Sequence, residues 1–142
     1  MLKTILAAVD ASPRAQSVVE AATDLASRYQ ATVVLLRILA VPPEYPAAAA
    51  SQGDDLGFAL QQSARAALEA LARDRPGVTV APPLVFAGQP WRAIVDEAKR
   101  LAVDLIVIGS HGYSGWDRIL GTTASKVADH ADRNVLVVHE RR

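Results

Sequence analysis

The sequence contains no cysteine, which excludes disulfide bonds, thiol catalysis and cysteine-ligated metals. This composition fits a reducing compartment, so we expect a cytoplasmic protein. No stretch approaches the roughly 18 consecutive apolar residues of a membrane-spanning helix, and we expect no membrane partner. Asp10 interrupts the first apolar segment, Ile5 to Val9, so this segment is interpreted as a strand rather than a signal peptide.

Neither sign of charge is in excess. The 15 lysine and arginine residues balance 15 aspartate and glutamate residues, and no long basic run occurs. Because affinity for nucleic acid comes mainly from phosphate neutralisation, this balance predicts no nucleic-acid partner. Hydrophobic residues make up 51 % of the 142 residues, enough for the core of one ordinary domain, residues 1–142.

Short apolar segments alternate with segments of helical periodicity along the chain. The predicted strands are Thr4–Asp10, Ala31–Leu39, Gly77–Gly88, Val103–Gly109 and the segment NVLVVHE beginning at Asn134. Ser12 and Pro13 are expected to begin the first helix, and Pro90 a later one. Pro82 and Pro83 interrupt the third strand, which places it at a sheet edge. The alternation predicts an α/β fold, with an open parallel sheet covered by helices on both faces.

The segment Ala40 to Gly57 is of low complexity and begins with several prolines. Prolines prevent regular structure there, so we expect a long mobile loop that could act as a lid.

Glycines and threonines follow the fourth predicted strand in the stretch LIVIGSHGYSGWDRILGTTASKV. The backbone amides of Gly121, Thr122, Thr123 and Ala124 would begin a helix, where amides lack intrahelical partners and attract phosphate groups. The hydroxyls of Ser110, Thr122 and Thr123 add donors. Asp10 ends the first strand and faces the same crevice if the first and fourth strands are neighbours. On the sequence alone, Asp10, Thr122 and Thr123 are about as well suited to ordinary helix capping as to contact with a ligand.

Three familiar phosphate-binding or catalytic motifs do not fit this loop. A P-loop would place a lysine directly after its last glycine, whereas Gly121 is followed by Thr122. The dinucleotide fingerprint spaces its first glycines more closely and lies in the first strand–helix unit. The sequence GYSGW lacks the final glycine of a nucleophile elbow.

The chain resembles the universal stress protein family over essentially its whole length. The matching stretches are KTILAAVDAS, DLIVIGSHGYSG, LGTTASKV and NVLVVH. The resemblance implies a Rossmann-like sheet of five strands in the order 3-2-1-4-5. It also implies a stress-response sensor or switch with ATP as ligand, since one branch of the family binds ATP.

The resemblance also implies the residues of the ATP site. Ala8, Val9 and Asp10 would border the adenine and ribose, Ile38 would give an apolar wall, and Ile108, Gly109 and Gly112 would line the ribose and first phosphates. Gly121, Thr122, Thr123 and Ala124 would hold the outer phosphates, with Ser110 and His111 beside them. Magnesium could accompany the phosphates, although no carboxylate cluster indicates a dedicated metal site.

The spacing between Gly112 and Gly121 departs from the pattern of the family. Eight residues separate Gly112 from Gly121, one fewer than is usual for the ATP-binding branch. We expect the loop to absorb the difference. If the shorter loop closes the crevice instead, the alternative is a dimeric interaction module that binds no nucleotide.

A catalytic function is the third hypothesis, as a slow ATP hydrolase. Ser110 and His111 are adjacent, so their side chains diverge, and no third member of a catalytic triad is evident. We therefore assign no catalytic residue.

The last predicted strand, Asn134 to His139, would leave an apolar sheet edge open. An open edge favours association, and the family resemblance indicates a homodimer in which two copies of this strand pair.

Overall fold

The computed structural model describes residues 1–40, 55–110 and 123–139. The ten elements within these ranges follow one another in the predicted alternation. They are β1 (Thr4–Ala8), α1 (Ala15–Tyr29), β2 (Thr32–Ala40), α2 (Asp55–Ala72), β3 (Thr79–Val80), β4 (Leu84–Gly88), α3 (Pro90–Arg100), β5 (Leu105–Gly109), α4 (Thr123–His130) and β6 (Asn134–Val138).

All strand pairs of the sheet are parallel, and the main strand order is β3-β2-β1-β5-β6. The predicted doubly wound α/β class is therefore confirmed. One detail of the prediction is wrong, because the third strand is two strands, β3 and β4, which both pair with β2. Val33 of β2 lies opposite Val80, whereas Leu36 lies opposite Leu84, so the β3–β4 segment contains one extra residue. Such an extra residue is a bulge, and Pro82 and Pro83 occur there because neither can donate to a ladder.

The hydrophobic core lies in two clusters, one on each face of the sheet. Alternate strand residues point to opposite faces, so Ile5 and Ala7 pack with α1 and α2, whereas Leu6 and Ala8 pack with α3 and α4. The central strand β1 is buried on both faces, with Ile5, Leu6 and Ala7 fully enclosed. This explains why its sequence is continuously apolar rather than alternating.

The first helix begins later than the sequence predicts. Ser12 and Pro13 lie in a turn before α1, and the first helical residue is Ala15. Ser12 Oγ accepts a hydrogen bond from the Arg14 N–H at 3.2 Å, and the Ser12 carbonyl accepts one from the Ala15 N–H at 3.1 Å. Ser12 therefore shapes the turn that leads into the helix, while Arg14 occupies the cap position.

Other predicted boundaries move by a few residues. Helix α2 already includes Gly57, so the loop expected over Ala40 to Gly57 is shorter at that end, and residues 41–54 lie outside the described residues. Pro90 is the first residue of α3, as predicted. Strand β6 ends at Val138, so His139 is not part of it. In the described part of the chain, no helix is long and apolar enough to cross a membrane.

Asp104, in the segment that precedes β5, forms hydrogen bonds with the beginning of β1. Its Oδ2 accepts hydrogen bonds from the backbone N–H groups of Thr4 and Lys3, at 2.9 and 2.8 Å. These bonds, the one from Thr4 first, lower the pKa of the Asp104 carboxyl because they favour its charged form. A carboxyl whose pKa is lower in the folded state stabilises the fold above its unfolded pKa, and this stabilisation is lost as the pH falls through the folded value.

We therefore expect Asp104→Asn to lower the melting temperature by a few degrees at pH 7. The difference from the wild type should begin to shrink below about pH 4, where the unfolded carboxyl becomes protonated, and disappear only at the lower pH at which the folded carboxyl is protonated as well. Thermal unfolding followed by circular dichroism between neutral pH and acid measures both quantities. If the two proteins differ in melting temperature by the same amount at neutral and acid pH, the charge of the Asp104 carboxylate does not stabilise the fold.

Candidate functional site

The winding of the sheet reverses between β1 and β5. From β1 the chain passes through α1 to β2 on one side, and from β5 it passes to β6 on the other. Ala8 pairs with both Leu36 of β2 and Ile108 of β5, so the carboxyl ends of these strands lie side by side. Ligands of open α/β sheets bind beyond the strand ends at such a reversal point. Asp10 and Gly109 therefore lie at the edge where a ligand site is expected.

The apolar residues predicted for the site lie together on one face of the sheet. Ala8, Ile38, Ile108 and Ala124 all belong to the cluster that α3 and α4 cover. Each is at most 3 % exposed, so the cluster encloses these side chains and leaves little of them available to a ligand. Ala124 can thus contribute to a phosphate site through its backbone, while its methyl group packs in the core.

Asp10 is half-buried and holds the turn between β1 and α1. Its Oδ1 accepts hydrogen bonds from both the N–H and the hydroxyl of Ser12, at 2.9 and 2.6 Å. Within the described ranges, its other oxygen, Oδ2, accepts no hydrogen bond. Asp10 does not cap α1 directly. It combines a fixed orientation with one carboxylate oxygen that can accept a hydrogen bond from a ligand hydroxyl or amine.

The β1–β2 ladder continues one residue beyond β1. The Val9 N–H donates to the Leu36 carbonyl at 2.9 Å, and Val9 is 1 % exposed. Val9 packs with the cluster that α1 and α2 cover, on the opposite face from Ala8. This ladder bond places the next residue, Asp10, at the strand end.

The β5–β6 ladder likewise reaches beyond β5. The Ser110 N–H donates to the Val138 carbonyl at 2.9 Å, so this amide is already bonded within the sheet. The Ser110 hydroxyl forms no hydrogen bond with the residues that the structure describes. Gly109 does not adopt a positive φ, and as a glycine it leaves no side chain at the strand end.

Helix α4 begins at Thr123, which places the amides of Thr123 and Ala124 in its first turn, as predicted. The first turn lies at the positive end of the helix dipole, which favours negatively charged groups. The Thr123 side chain is only 7 % exposed, which limits the access of a ligand to its hydroxyl.

Four of the predicted site residues lie outside the described residues. These are His111, Gly112, Gly121 and Thr122. Their part in a phosphate site, and the effect of the shortened glycine spacing, therefore stay predictions. Across residues 1–40, 55–110 and 123–139, no group of three or more histidine, aspartate or glutamate side chains could hold a metal ion, and the magnesium prediction is untested.

The sequence did not identify Ser12 as the partner of Asp10. It indicated a helix cap, whereas both donors of Ser12 bind the Asp10 carboxylate. An aspartate that accepts from the backbone two residues later is a common turn, so the spacing Asp-Ala-Ser carried the signal.

The fold defines an open, parallel α/β protein whose sheet reverses its winding between β1 and β5, the place where proteins of this class bind ligands. The chain belongs to the universal stress protein family, whose model matches residues 1–139. Universal stress protein A homolog 1 of Coxiella burnetii is 31 % identical over 147 residues, which cover 96 % of this chain and 95 % of the relative.

Solved structures show the same fold. The universal stress protein UspA from Lactobacillus plantarum superposes with a TM-score of 0.81 at 29 % identity, covering 96 % of this chain and 97 % of the other. A universal stress protein in complex with cAMP matches with a TM-score of 0.69 at 22 % identity, covering 97 % of each chain. One from Archaeoglobus fulgidus in complex with dAMP matches with a TM-score of 0.67 at 19 % identity, covering 96 % of this chain and 97 % of the other.

Proposed function

We propose that this protein binds an adenine nucleotide, with ATP as the preferred ligand, and acts as a sensor or switch in a stress response. The observation that carries the proposal is the pairing of β1 with β5, which brings Asp10 and Gly109 to the ends of adjacent strands. A carboxylate beside a glycine at a sheet reversal point suits a ribose or base on one side and phosphates on the other.

The sugar or base end of the ligand is assigned to Asp10. Its Oδ1 is bonded to Ser12, which fixes the carboxylate, and Oδ2 can accept from a ribose hydroxyl or an adenine amine. A ligand hydroxyl bound there would form a charge-assisted hydrogen bond, which is stronger than a neutral one.

The phosphate end is assigned to the glycine loop and the first turn of α4. Gly112, Gly121 and Thr122 keep the residue types of the ATP-binding branch of the family. The amides of Thr123 and Ala124 follow them at a helix N-terminus, which favours phosphate. The cAMP and dAMP complexes of proteins with this fold support an adenine nucleotide as the ligand class.

The test is a calorimetric titration of ATP into nucleotide-stripped protein, with and without magnesium. We expect binding by the wild type and about tenfold weaker binding by Asp10→Asn. Asparagine keeps an acceptor for Ser12 but loses the charge, and the difference between a charged and a neutral hydrogen bond is about 1.4 kcal/mol.

Asp24→Asn is the matched control for Asp10→Asn. It makes the same change of carboxylate to amide at an exposed ion pair with Arg28 on α1, away from the strand ends, so its affinity for ATP should stay within a factor of about two of the wild type. A folded wild-type protein that binds neither ATP, AMP nor cAMP would refute the proposed function.

We also propose that two copies of the chain associate through β6. Within the described residues, the outer edge of β6 pairs with no strand, and Leu136 is 38 % exposed there. An apolar edge of this kind is stabilised when a second copy pairs with it. If no nucleotide binds, this surface supports the alternative function, a dimeric interaction module.

A further inference from the structure

An aromatic contact joins α3 to α4 on the face of the sheet that carries the apolar site residues. The ring centroids of Trp91 and His130 lie 4.5 Å apart, with the rings inclined by 38°. His130 Nδ1 lies 2.9 Å from the Lys126 carbonyl of its own helix, which fixes the orientation of the imidazole. The Arg92 guanidinium carbon lies 5.3 Å from the centroid of the Trp91 ring and adds a cation–π contact. We call the Trp91–His130 pair the α3–α4 ring contact.

Helix α4 depends on such contacts for its position. It has eight residues, and an isolated helix of this length is not stable in water. Ala124 and Val127 pack into the core, and Arg133, just after the helix, donates hydrogen bonds to the carbonyls of Ala98 and Val103 at 2.8 and 2.9 Å. Among the described residues, the ring contact attaches the last turn of α4 to α3.

The indole of Trp91 is not explained by stability alone. Its Nε1 is buried and donates no hydrogen bond to any residue that the structure describes. A buried donor without an acceptor costs stability, and a phenylalanine would offer an aromatic face without that cost. The Trp91 ring nevertheless packs between the hydrophobic cluster that α3 and α4 cover, the His130 imidazole and the Arg92 guanidinium. This arrangement indicates a role for the ring beyond stability.

We propose that the α3–α4 ring contact positions α4, and with it the amides of Thr123 and Ala124, for the outer phosphates of the bound nucleotide. Trp91 and His130 are thus positioning residues that affect the ligand through the helix. The proposal rests on the proposed function. Hydrogen bonds weaken steeply as distance and angle depart from the optimum, so a small tilt of α4 weakens contacts to the β- and γ-phosphates. Contacts to the adenosine part and the first phosphate are made elsewhere and do not change.

The experiment compares the affinities for ATP and AMP, because AMP lacks the outer phosphates. We expect Trp91→Ala and His130→Ala to weaken ATP binding about tenfold while AMP binding changes less than twofold. Trp91→Phe keeps an aromatic ring against His130 and should restore most of the ATP affinity. This selective loss with aromatic rescue is not expected of a residue that only stabilises the fold.

Leu68→Ala is the control for a loss of stability. Leu68 is 1 % exposed and packs in the cluster on the opposite face, so this variant should unfold at a lower temperature but keep the wild-type ratio of ATP to AMP affinity. His130 is exposed, so His130→Ala provides the measurement if Trp91→Ala does not fold.

The outcomes separate the two proposals. If the wild type binds ATP but His130→Ala keeps the wild-type ratio, or loses ATP and AMP equally, the positioning role is refuted and the nucleotide site stands. If the folded wild type binds none of ATP, AMP and cAMP, the proposed function is refuted and the positioning role with it. If it binds AMP or cAMP but not ATP, the positioning role alone is refuted.

Discussion

Gly121→Val is expected to weaken ATP binding roughly 100-fold or more. In the proposed site the backbone at Gly121 approaches a phosphate closely, and a branched side chain would displace that phosphate. The loss of two charge-assisted hydrogen bonds of about 1.5 kcal/mol each corresponds to this factor. Gly121 lies outside the described residues, so the prediction rests on the pattern Gly-Thr-Thr-Ala that precedes and opens α4.

Gly88→Ala is the control for adding a side chain to a glycine at the carboxyl end of a strand. A Cβ atom at Gly88 would meet the Ala93 Cβ at 3.9 Å, an ordinary contact, so this variant should bind ATP as the wild type does. Calorimetry gives both affinities, and thermal unfolding shows that each variant is folded. Wild-type affinity in Gly121→Val would mean that ATP binds without the glycine loop holding its phosphates.

Leu136→Lys is expected to convert the proposed dimer into a monomer. In an antiparallel pairing of two β6 strands about their middle residue, Leu136 lies opposite its own copy, with Cβ atoms about 5 Å apart. Each copy would lose about 1 to 2 kcal/mol of apolar burial, and the two ammonium groups would repel each other by about 1 kcal/mol. Together these terms weaken association at least 100-fold, by the conversion of about 1.4 kcal/mol per factor of ten.

Sedimentation velocity over a range of protein concentrations measures the association directly. Tyr29→Lys is the matched control, because Tyr29 is 49 % exposed and lies at the end of α1 rather than on β6. It should leave the dimer intact. A dimer that persists in Leu136→Lys, or a wild-type protein that is monomeric, would contradict pairing through β6.

The nucleotide prediction and the dimer prediction are independent. Asp10, Gly109 and the start of α4 all come from one copy of the chain, so a monomeric Leu136→Lys protein should retain its affinity for ATP. Loss of ATP binding together with dissociation would instead mean that the second copy completes the site.

Much of the fold could be predicted because its signals are local. The buried strand β1 is continuously apolar, and Pro90 begins α3 at the residue expected of a helix-opening proline. The divided third strand shows the limit of such signals. Pro82 and Pro83 indicate an interruption, but whether the two parts pair with one strand or with different strands depends on the opposite residues of β2.

The candidate site could be predicted in its residue types but not in its hydrogen bonds. Asp10 after the first strand indicates a polar group at the sheet edge. That its Oδ1 binds Ser12 while Oδ2 accepts no hydrogen bond from the described residues follows from the conformation of the turn. The sequence indicates the Ser110 hydroxyl as a donor, whereas only the structure shows that the Ser110 amide is bonded to the Val138 carbonyl within the sheet. The hydrogen bonds of Asp10 depend on the backbone angles of its turn, and that of the Ser110 amide depends on a residue distant in the chain.

The sequence by itself determined the alternation of strands and helices, the glycine and threonine residues that follow β5, and the resemblance to a family. Each of these depends on neighbouring residues and their periodicity, which the order of amino acids specifies directly. Only the tertiary structure decided that β1 lies between β2 and β5, that Ile38 and Ile108 are enclosed in one cluster, and that Trp91 packs against His130. These contacts join residues far apart in the chain, and they form because burying both faces of the sheet lowers the free energy more than any local preference does.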